Sequence, residues 1–373
     1  MQQVQVRPVG DKRTLEAFLR VPFRVHADDP AWIPPLFRER KQALDQVRNP
    51  FFRHAEAAFW IAERNGAAVG RVSAQMDTLA PAGEGHFGML CAPDDPGIIR
   101  LLMSTAEDWL RKRGAQTVVG PYNLSINQES GLLVEGFDAP PMLLMPHDRP
   151  YLAPRLEALG YTKAKDLYAY LCETGGNLPP EIGRVLDRGL ADGLRLRPID
   201  MGDYQREIRA LANIFNDAWN ANWGFVPFTE DEIAAMAREL RPLVDPRLIW
   251  FVDVDGEPSG FAVCLPNLNE AIRDLNGRLF PFGWTKLLWR LKVRKPTTAR
   301  VALMGVRPGL SSSLLGSIIP FLIVDAIGRE TRRKGMSAVE LSWILEDNQP
   351  VIRLIETVGG RRYKTYRLYQ KTL

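Results

Sequence analysis

Acidic side chains are missing from residues 275–324, a window that carries eight basic ones: Arg278, Lys286, Arg290, Lys292, Arg294, Lys295, Arg300 and Arg307. The whole chain of 373 residues is only +4, so the rest of it sums to −4, and the asymmetry points to an anionic partner. Cysteine is scarce too. Cys91, Cys172 and Cys264 are far apart and odd in number, which excludes a disulfide framework and a paired-cysteine zinc site. No cluster of His, Cys and carboxylates has ligand spacing, so no metal is expected. Long apolar runs are lacking as well. The longest uncharged stretch, Pro308 to Val324, holds two prolines, two glycines and four serines. It falls short of the roughly 20 mainly apolar residues of a spanning helix. The opening Met1-Gln2-Gln3-Val4-Gln5-Val6-Arg7 has no charged stretch followed by an apolar one, so a cytoplasmic protein is expected, with any membrane contact peripheral.

The chain reads as a duplication. Arg7-Pro8-Val9 recurs as Arg197-Pro198-Ile199, and Asn65-Gly66 with Gly70 recurs as Asp255-Gly256 with Gly260, both at an offset of 190. Each glycine dipeptide separates two apolar alternating runs, which predicts a β-hairpin in each half. Arg113-Gly114 matches Lys334-Gly335 at 221, and Leu156–Gly160 matches Ile355–Gly359 at 199. The second half therefore gains about 31 residues, largely the basic stretch, and the first half recovers 22 around Gly131–Pro141. Each half is expected to run strand, helices, hairpin, strand, helix, strand, helix, strand, forming a mixed α/β sheet of about six or seven strands. Helices are expected at Tyr204 to Trp219 and at Glu230 to Leu240, the latter opened by the capping box Thr229-Glu230-Asp231-Glu232. The domain boundary is placed after residue 190, giving 1–190 and 191–373.

Within the second half's insertion, Phe280, Phe282 and Trp284 precede a short helical stripe of Leu287, Leu288 and Leu291 flanked by Lys286, Arg290 and Arg294. A cationic amphipathic segment with aromatic residues at its entrance suits an anionic membrane surface. A core-packing helix with a solvated basic flank fits the same pattern. Aromatic and leucine content favours a bilayer over nucleic acid, which is not expected as a partner.

The opening strands ending in Arg-Pro, the hairpins with Gly70 and Gly260, the strand Val301 to Val306 entering Arg307-Pro308, and the closing Asn348–Gly360 together resemble the Gcn5-related N-acyltransferase family, twice over. Asn49–Glu56, Gly120–Asn127, Asn222–Thr229 and Glu340–Asn348 are similar to tandem-domain bacterial members, the ceramide synthases among them. The resemblance implies transfer of a long acyl chain from acyl-coenzyme A, a co-substrate rather than a bound cofactor, to the amine of a sphingoid base. It places coenzyme pyrophosphate at a helix start, here among Gly305, Val306, Arg307, Ser311, Ser312, Ser313 and Gly316, with Asn348 nearby. Ser311, Ser312 and Leu314 stand where Arg, Gly and Gly are usual. The first half's loop carries Asp94 and Asp95 instead, which would repel phosphate, so the second half is expected to hold the donor and the first to shape the acceptor site. The tyrosine that often serves as acid is replaced by Ile355 and Leu156. Substitutes are Glu346, beside the possible helix caps Asp347 and Asn348, and His147, a base near neutral pH. Asn123, Ser125 and Asn127 are expected to alternate on one face of a strand as an acceptor surface, with Glu129 extending that row to hold the amine. Trp219, Trp223 and Phe225 are expected to wall an apolar channel.

Overall fold

The structure, a computed structural model, describes residues 4–174, 193–241, 244–311 and 314–373. In chain order the first half forms strand β1 (Gln5–Pro8), helices α1 (Lys12–Val25) and α2 (Phe37–Ala43), hairpin strands β2 (Ala55–Arg64) and β3 (Ala67–Asp77), and β4 (Glu84–Cys91). Helix α3 (Pro96–Arg111) and β5 (Thr117–Gly120) follow, then the short β6 (Tyr122–Asn123), β7 (Glu129–Ser130) and β8 (Leu132–Glu135), α4 (Leu152–Glu157) and β9 (Thr162–Glu173). The second half repeats the order: β10 (Leu194–Pro198), α5 (Tyr204–Trp219), α6 (Glu230–Leu240), β11 (Ile249–Val254) and β12 (Glu257–Pro266). After the insertion helices α7 (Asn269–Ile272) and α8 (Gly283–Trp289) come β13 (Thr298–Val306), α9 (Pro308–Ser311), α10 (Leu314–Arg333), β14 (Ala338–Leu345), α11 (Gln349–Thr357) and β15 (Arg361–Thr372). Both predicted helices form with the expected bounds. Thr229 caps α6 reciprocally with Glu232, satisfying donors at both N-cap and third position.

Two compact units result. The first comprises Met1–Leu167, Ile272–Lys286 and Lys364–Leu373; the second comprises Tyr168–Ala271 and Leu287–Tyr363. The boundary expected after residue 190 lies outside the described residues. In the first unit the strand order is β1-β2-β3-β4-β5, completed by β15, whose Tyr369–Thr372 pair antiparallel with Gly120–Thr117. The second unit has the order β10-β11-β12-β13-β14, completed by the C-terminal part of β9. Each unit's last strand thus comes from the other half of the chain.

The same device seats the main helix in both sheets. A Cβ on Gly70 would lie 2.9 Å from Leu102 of α3, and one on Gly260 would lie 2.8 Å from Ile319 of α10. Only glycine permits this approach, which explains why the two recur at the same offset. Leu102 and Ile319 are both fully buried, and burying each side chain stabilises by about 1.5–3 kcal/mol. The first unit's other face carries α1, whose Phe18 packs edge-on against Phe59.

Candidate active site

In the second unit the parallel strands β13 and β14 pair only over Thr298–Val301 against Ala338–Leu341. A bulge loosens them: against β12 the register shifts between Val263 and Cys264, leaving Ala302 without an opposite residue. Beyond it β13 runs on to Val306 and β14 to Leu345 without pairing to one another. Trp219 reaches this edge from the end of α5, donating its indole N–H to the Met304 carbonyl at 3.1 Å. Its ring meets Trp343 of β14 at 5.4 Å and stacks on Phe215 at 5.0 Å. Phe225 and Phe228 join Phe215, and Asn216 pins the Phe228 backbone in both directions. Trp219 and Phe225, expected to wall a channel, belong to an aromatic cluster with Phe215, Phe228 and Trp343. Trp223 lies half-buried in the turn that precedes Phe225.

Where the two strands part sits a polar network. Arg300, one of the eight basic residues of 275–324, is buried. Its Nε donates to Ser342 Oγ at 2.7 Å and its Nη2 to the Ser342 carbonyl at 3.1 Å, with Glu340 3.6 Å away. Glu340, 0% exposed, also accepts from Ser342 and Tyr363. The apolar neighbours Ala299 and Val301 mark a strand, but nothing local reveals that Glu340 lies beside Arg300.

Arg307 was expected to meet the coenzyme phosphates directly. Its guanidinium instead binds Asp217 and the Pro258 carbonyl, so phosphate contact would require release of that pair. Gly305 lies close to Phe261 and Ala218, Val306 is half-buried, and Gly316 is buried inside α10. Ser311 ends α9, while Ser312 and Ser313 fall outside the described residues. Pro320 lies in the interior of α10. Asn348 caps α11, accepting from Val351 N–H, and Glu346 is half-buried just before it. Ile355 and Leu156, at the missing tyrosine positions, are fully buried.

The first unit parts the equivalent strands and then fills the gap. β4 and β5 pair over Glu84–His86 against Thr117–Val119, after which the Asn123 side chain accepts from Met89 N–H at 2.9 Å. Gln75 donates to the Tyr122 carbonyl at 2.8 Å, and that oxygen lies so near Gly88 that a Cβ there would overlap it. The helix start is filled too: Asp95 accepts from Gly97 and Ile98 N–H, pairs with Arg64, and is held below the usual carboxylate range chiefly by Arg64.

The strand expected to carry Asn123, Ser125 and Asn127 does not form. β6 ends at Asn123, Leu124 adopts φ 89°, and the chain turns, with Ser125 buried and accepting from Asn127 N–H. Glu129 is not placed to wait for an amine: Arg40 and Asn123 both donate to it. Burial opposes its charge, but Arg40 outweighs that and keeps the carboxyl below its ordinary value.

His147, 8% exposed, is a different case. Asp29 holds its Nε2 at 3.0 Å and also faces His26 Nδ1 at 3.4 Å, while His147 Nδ1 is buried without a partner among the described residues. Burial, partly offset by Asp29, lowers its pKa and keeps the imidazole neutral. The sequence singles out His147 but not its partner Asp29, 118 residues earlier.

Residues 280–293 present Phe280, Phe282, Trp284, Leu288, Trp289 and Val293 to solvent, Phe282 at 77% exposure. Leu287 and Leu291, expected on the same outward stripe, are half-buried, and the helix changes to a wider π turn at Arg290–Arg294. Among the described residues no helix is long and apolar enough to cross a membrane, and no group of His, Cys, Asp and Glu could hold a metal.

No family model matches the chain. A protein named bacterial ceramide synthase, from Caulobacter vibrioides, is 49% identical over 375 residues, covering 99% of this chain and 98% of that one. Protein YghO of Escherichia coli is 45% identical, covering 99% of this chain and 95% of its own. Among solved structures, a tandem GNAT protein from the clavulanic acid biosynthesis pathway superposes with a TM-score of 0.58 at 15% identity over 99% of this chain and 98% of that chain. That likeness establishes the fold, and the sequence identity goes further: this chain, with its tandem Gcn5-related N-acyltransferase fold, belongs to the bacterial ceramide synthase family.

Proposed function

We propose that the protein is an N-acyltransferase that moves a long-chain acyl group from acyl-coenzyme A to the amine of a sphingoid base, forming a ceramide-type amide. The observation that carries this reading is the parted pair β13 and β14 with its aromatic lining. Peptide groups that β14 does not take suit the amides of an extended coenzyme arm, and the wall from Trp219 to Trp343 suits an acyl chain. The start of α10 lies in the stretch free of acidic residues, which favours pyrophosphate.

Amide formation needs a neutral amine and a proton acceptor of moderate basicity. Glu346, within the second unit, is one candidate for that acceptor; His147, oriented by Asp29 within the first unit, is the other. His147→Gln should lower turnover at least 100-fold with little change in acyl-coenzyme A affinity, as general-base loss does. An equal loss from Glu346→Gln alone would move the role there.

The outward aromatic side chains of 280–293, with Lys292, Arg294 and Lys295 exposed nearby, support docking on an anionic membrane surface from the cytoplasmic side. Phe282→Glu with Trp289→Glu should abolish sedimentation with anionic vesicles and leave the fold intact; undiminished sedimentation would refute docking.

The deciding assay offers palmitoyl- or acetyl-coenzyme A with and without sphinganine or 3-oxosphinganine, following free thiol and amide by mass spectrometry. Amide from the long-chain donor alone is the expected result. Donor binding without thiol release for either amine would favour a lipid-binding protein on an inactive scaffold, the reading that Ile355 and Leu156 in place of tyrosine supports.

A further inference from the structure

The two duplicated sheets differ at one interior position. Phe251 faces Phe261 across β11 and β12, and both rings are fully buried. At the same place 190 residues earlier, Ile61 faces Arg71 across β2 and β3. Successive strand residues face opposite ways, so while Gly70 meets α3, Arg71 points to the α1 side. Its Nη1 donates to the Phe18 carbonyl at 3.4 Å, and its guanidinium lies 4.9 Å from the Phe18 ring.

Among the described residues no carboxylate makes a direct ion pair with Arg71, and its Nε is shut off from solvent without an acceptor. Cys91, opposite it on β4, brings no charge, because burial pushes that thiol up to about 12. Burial pushes Arg71 down to about 10, which still leaves it cationic at neutral pH. Arg40, half-buried, gives Nη2 to Glu129 with Glu39 3.7 Å away, and among the described residues its Nε finds no acceptor. Asp148 spends an oxygen on Leu133 N–H at 2.9 Å, and burial raises its carboxyl to about 7. Glu129 pairs directly with Arg40 and is also within electrostatic reach of Arg71, so the two guanidiniums share that carboxylate and Asp148, which burial leaves only partly ionised. Arg71 is half-buried, with its Nε shut off from water and given no acceptor, an arrangement that costs free energy and that a phenylalanine like that of the second unit would avoid.

We propose that Arg71 and Arg40 form a receptor for one oxyanion group, a carboxylate or a phosphate, of a ligand held on the α1 side of the first unit's sheet. A guanidinium's planar fork suits either group. This site is distinct from the donor site assigned to the second unit, and from the start of α3, where Asp95 already occupies the helix N–H groups.

The test uses the full chain, with inorganic phosphate and palmitate as separate probes, read by calorimetric titration and by the shift in Tm. At least one probe should bind the wild type and raise its Tm. Arg71→Phe and Arg71→Met should weaken that binding tenfold or more, while palmitoyl-coenzyme A binding stays unchanged. Ligand-free Arg71→Phe should melt higher than wild type; if it misfolds, Arg71→Met carries the comparison. Phosphate binding alone would identify a phosphate ester as the ligand class, and palmitate alone a fatty carboxylate. The proposal fails if neither probe binds the wild type, or if the Arg71 variants bind as tightly.

Discussion

Both units part a pair of parallel strands beside a long helix, and they use the gap in opposite ways. In the first, Asn123 takes the Met89 N–H, Tyr122 presses its carbonyl onto Gly88, and Asp95 fills the helix start. In the second, β13 continues past its partner, the side chains at the edge are aromatic, and no acid precedes α10. The first copy thus satisfies with its own chain the backbone groups that the second leaves open, which supports the proposal that donor binding belongs to the second unit. Charge is exchanged in the same manner. Arg300 in the second unit is buried beside a carboxylate, whereas Arg71 in the first is not.

The two arginines offer the strongest way to break this comparison. Arg300→Met leaves Glu340 without its cation and should destabilise the protein by about 3–5 kcal/mol, read by urea denaturation. A cost for Arg300→Met no larger than that of Arg71→Met would mean that the two sites do not differ as described. Next comes pH. Burial lowers His26 to about 4, below its ordinary value near 6.5. Its contribution is therefore present above pH 6.5 and lost as pH falls through about 4, a difference on the order of 3 kcal/mol. His26→Gln should flatten the fall of Tm across that window, and an unaltered profile would remove His26 as its source. A smaller effect is expected from copying one unit's chemistry into the other. Gly309 has open space around a new Cβ, so Gly309→Asp should fold normally and weaken palmitoyl-coenzyme A binding about tenfold, by repulsion at the helix start. The reverse change, Asp95→Ala, should cost about 1 kcal/mol of stability as a lost cap and create no coenzyme binding.

Local chemistry made much of the fold legible. Thr229 and Glu232 announce α6, Asn65-Gly66 and Asp255-Gly256 announce their turns, and Gly70 and Gly260 mark the repeat. Of the candidate residues, Trp219 and Phe225 in the second unit and His147 in the first could be picked out by residue type alone. Their partners Met304, Trp343 and Asp29 could not, because nothing nearby in sequence marks a contact so distant along the chain. The polar row after Tyr122 misled because alternation predicts a strand only where the backbone stays extended, and Leu124 does not. The exchange of last strands was equally hidden. Leu167-Tyr168-Ala169-Tyr170 and Tyr366-Arg367-Leu368-Tyr369 both read as strands, and alternation specifies a face rather than a partner.

That exchange governs how the protein can be made. Lys364, 0% exposed, donates to the carbonyls of Gly136 and Ala139, and the residues after it close the sheet that Gln5 began. While the ribosome is still producing the second half, the β5 edge of the first has no neighbour to cover it, and an uncovered strand edge is a template for wrong pairing. Most of the chain must therefore be synthesised before its earliest part can finish folding, and that edge stays open to mispairing until the last strand arrives.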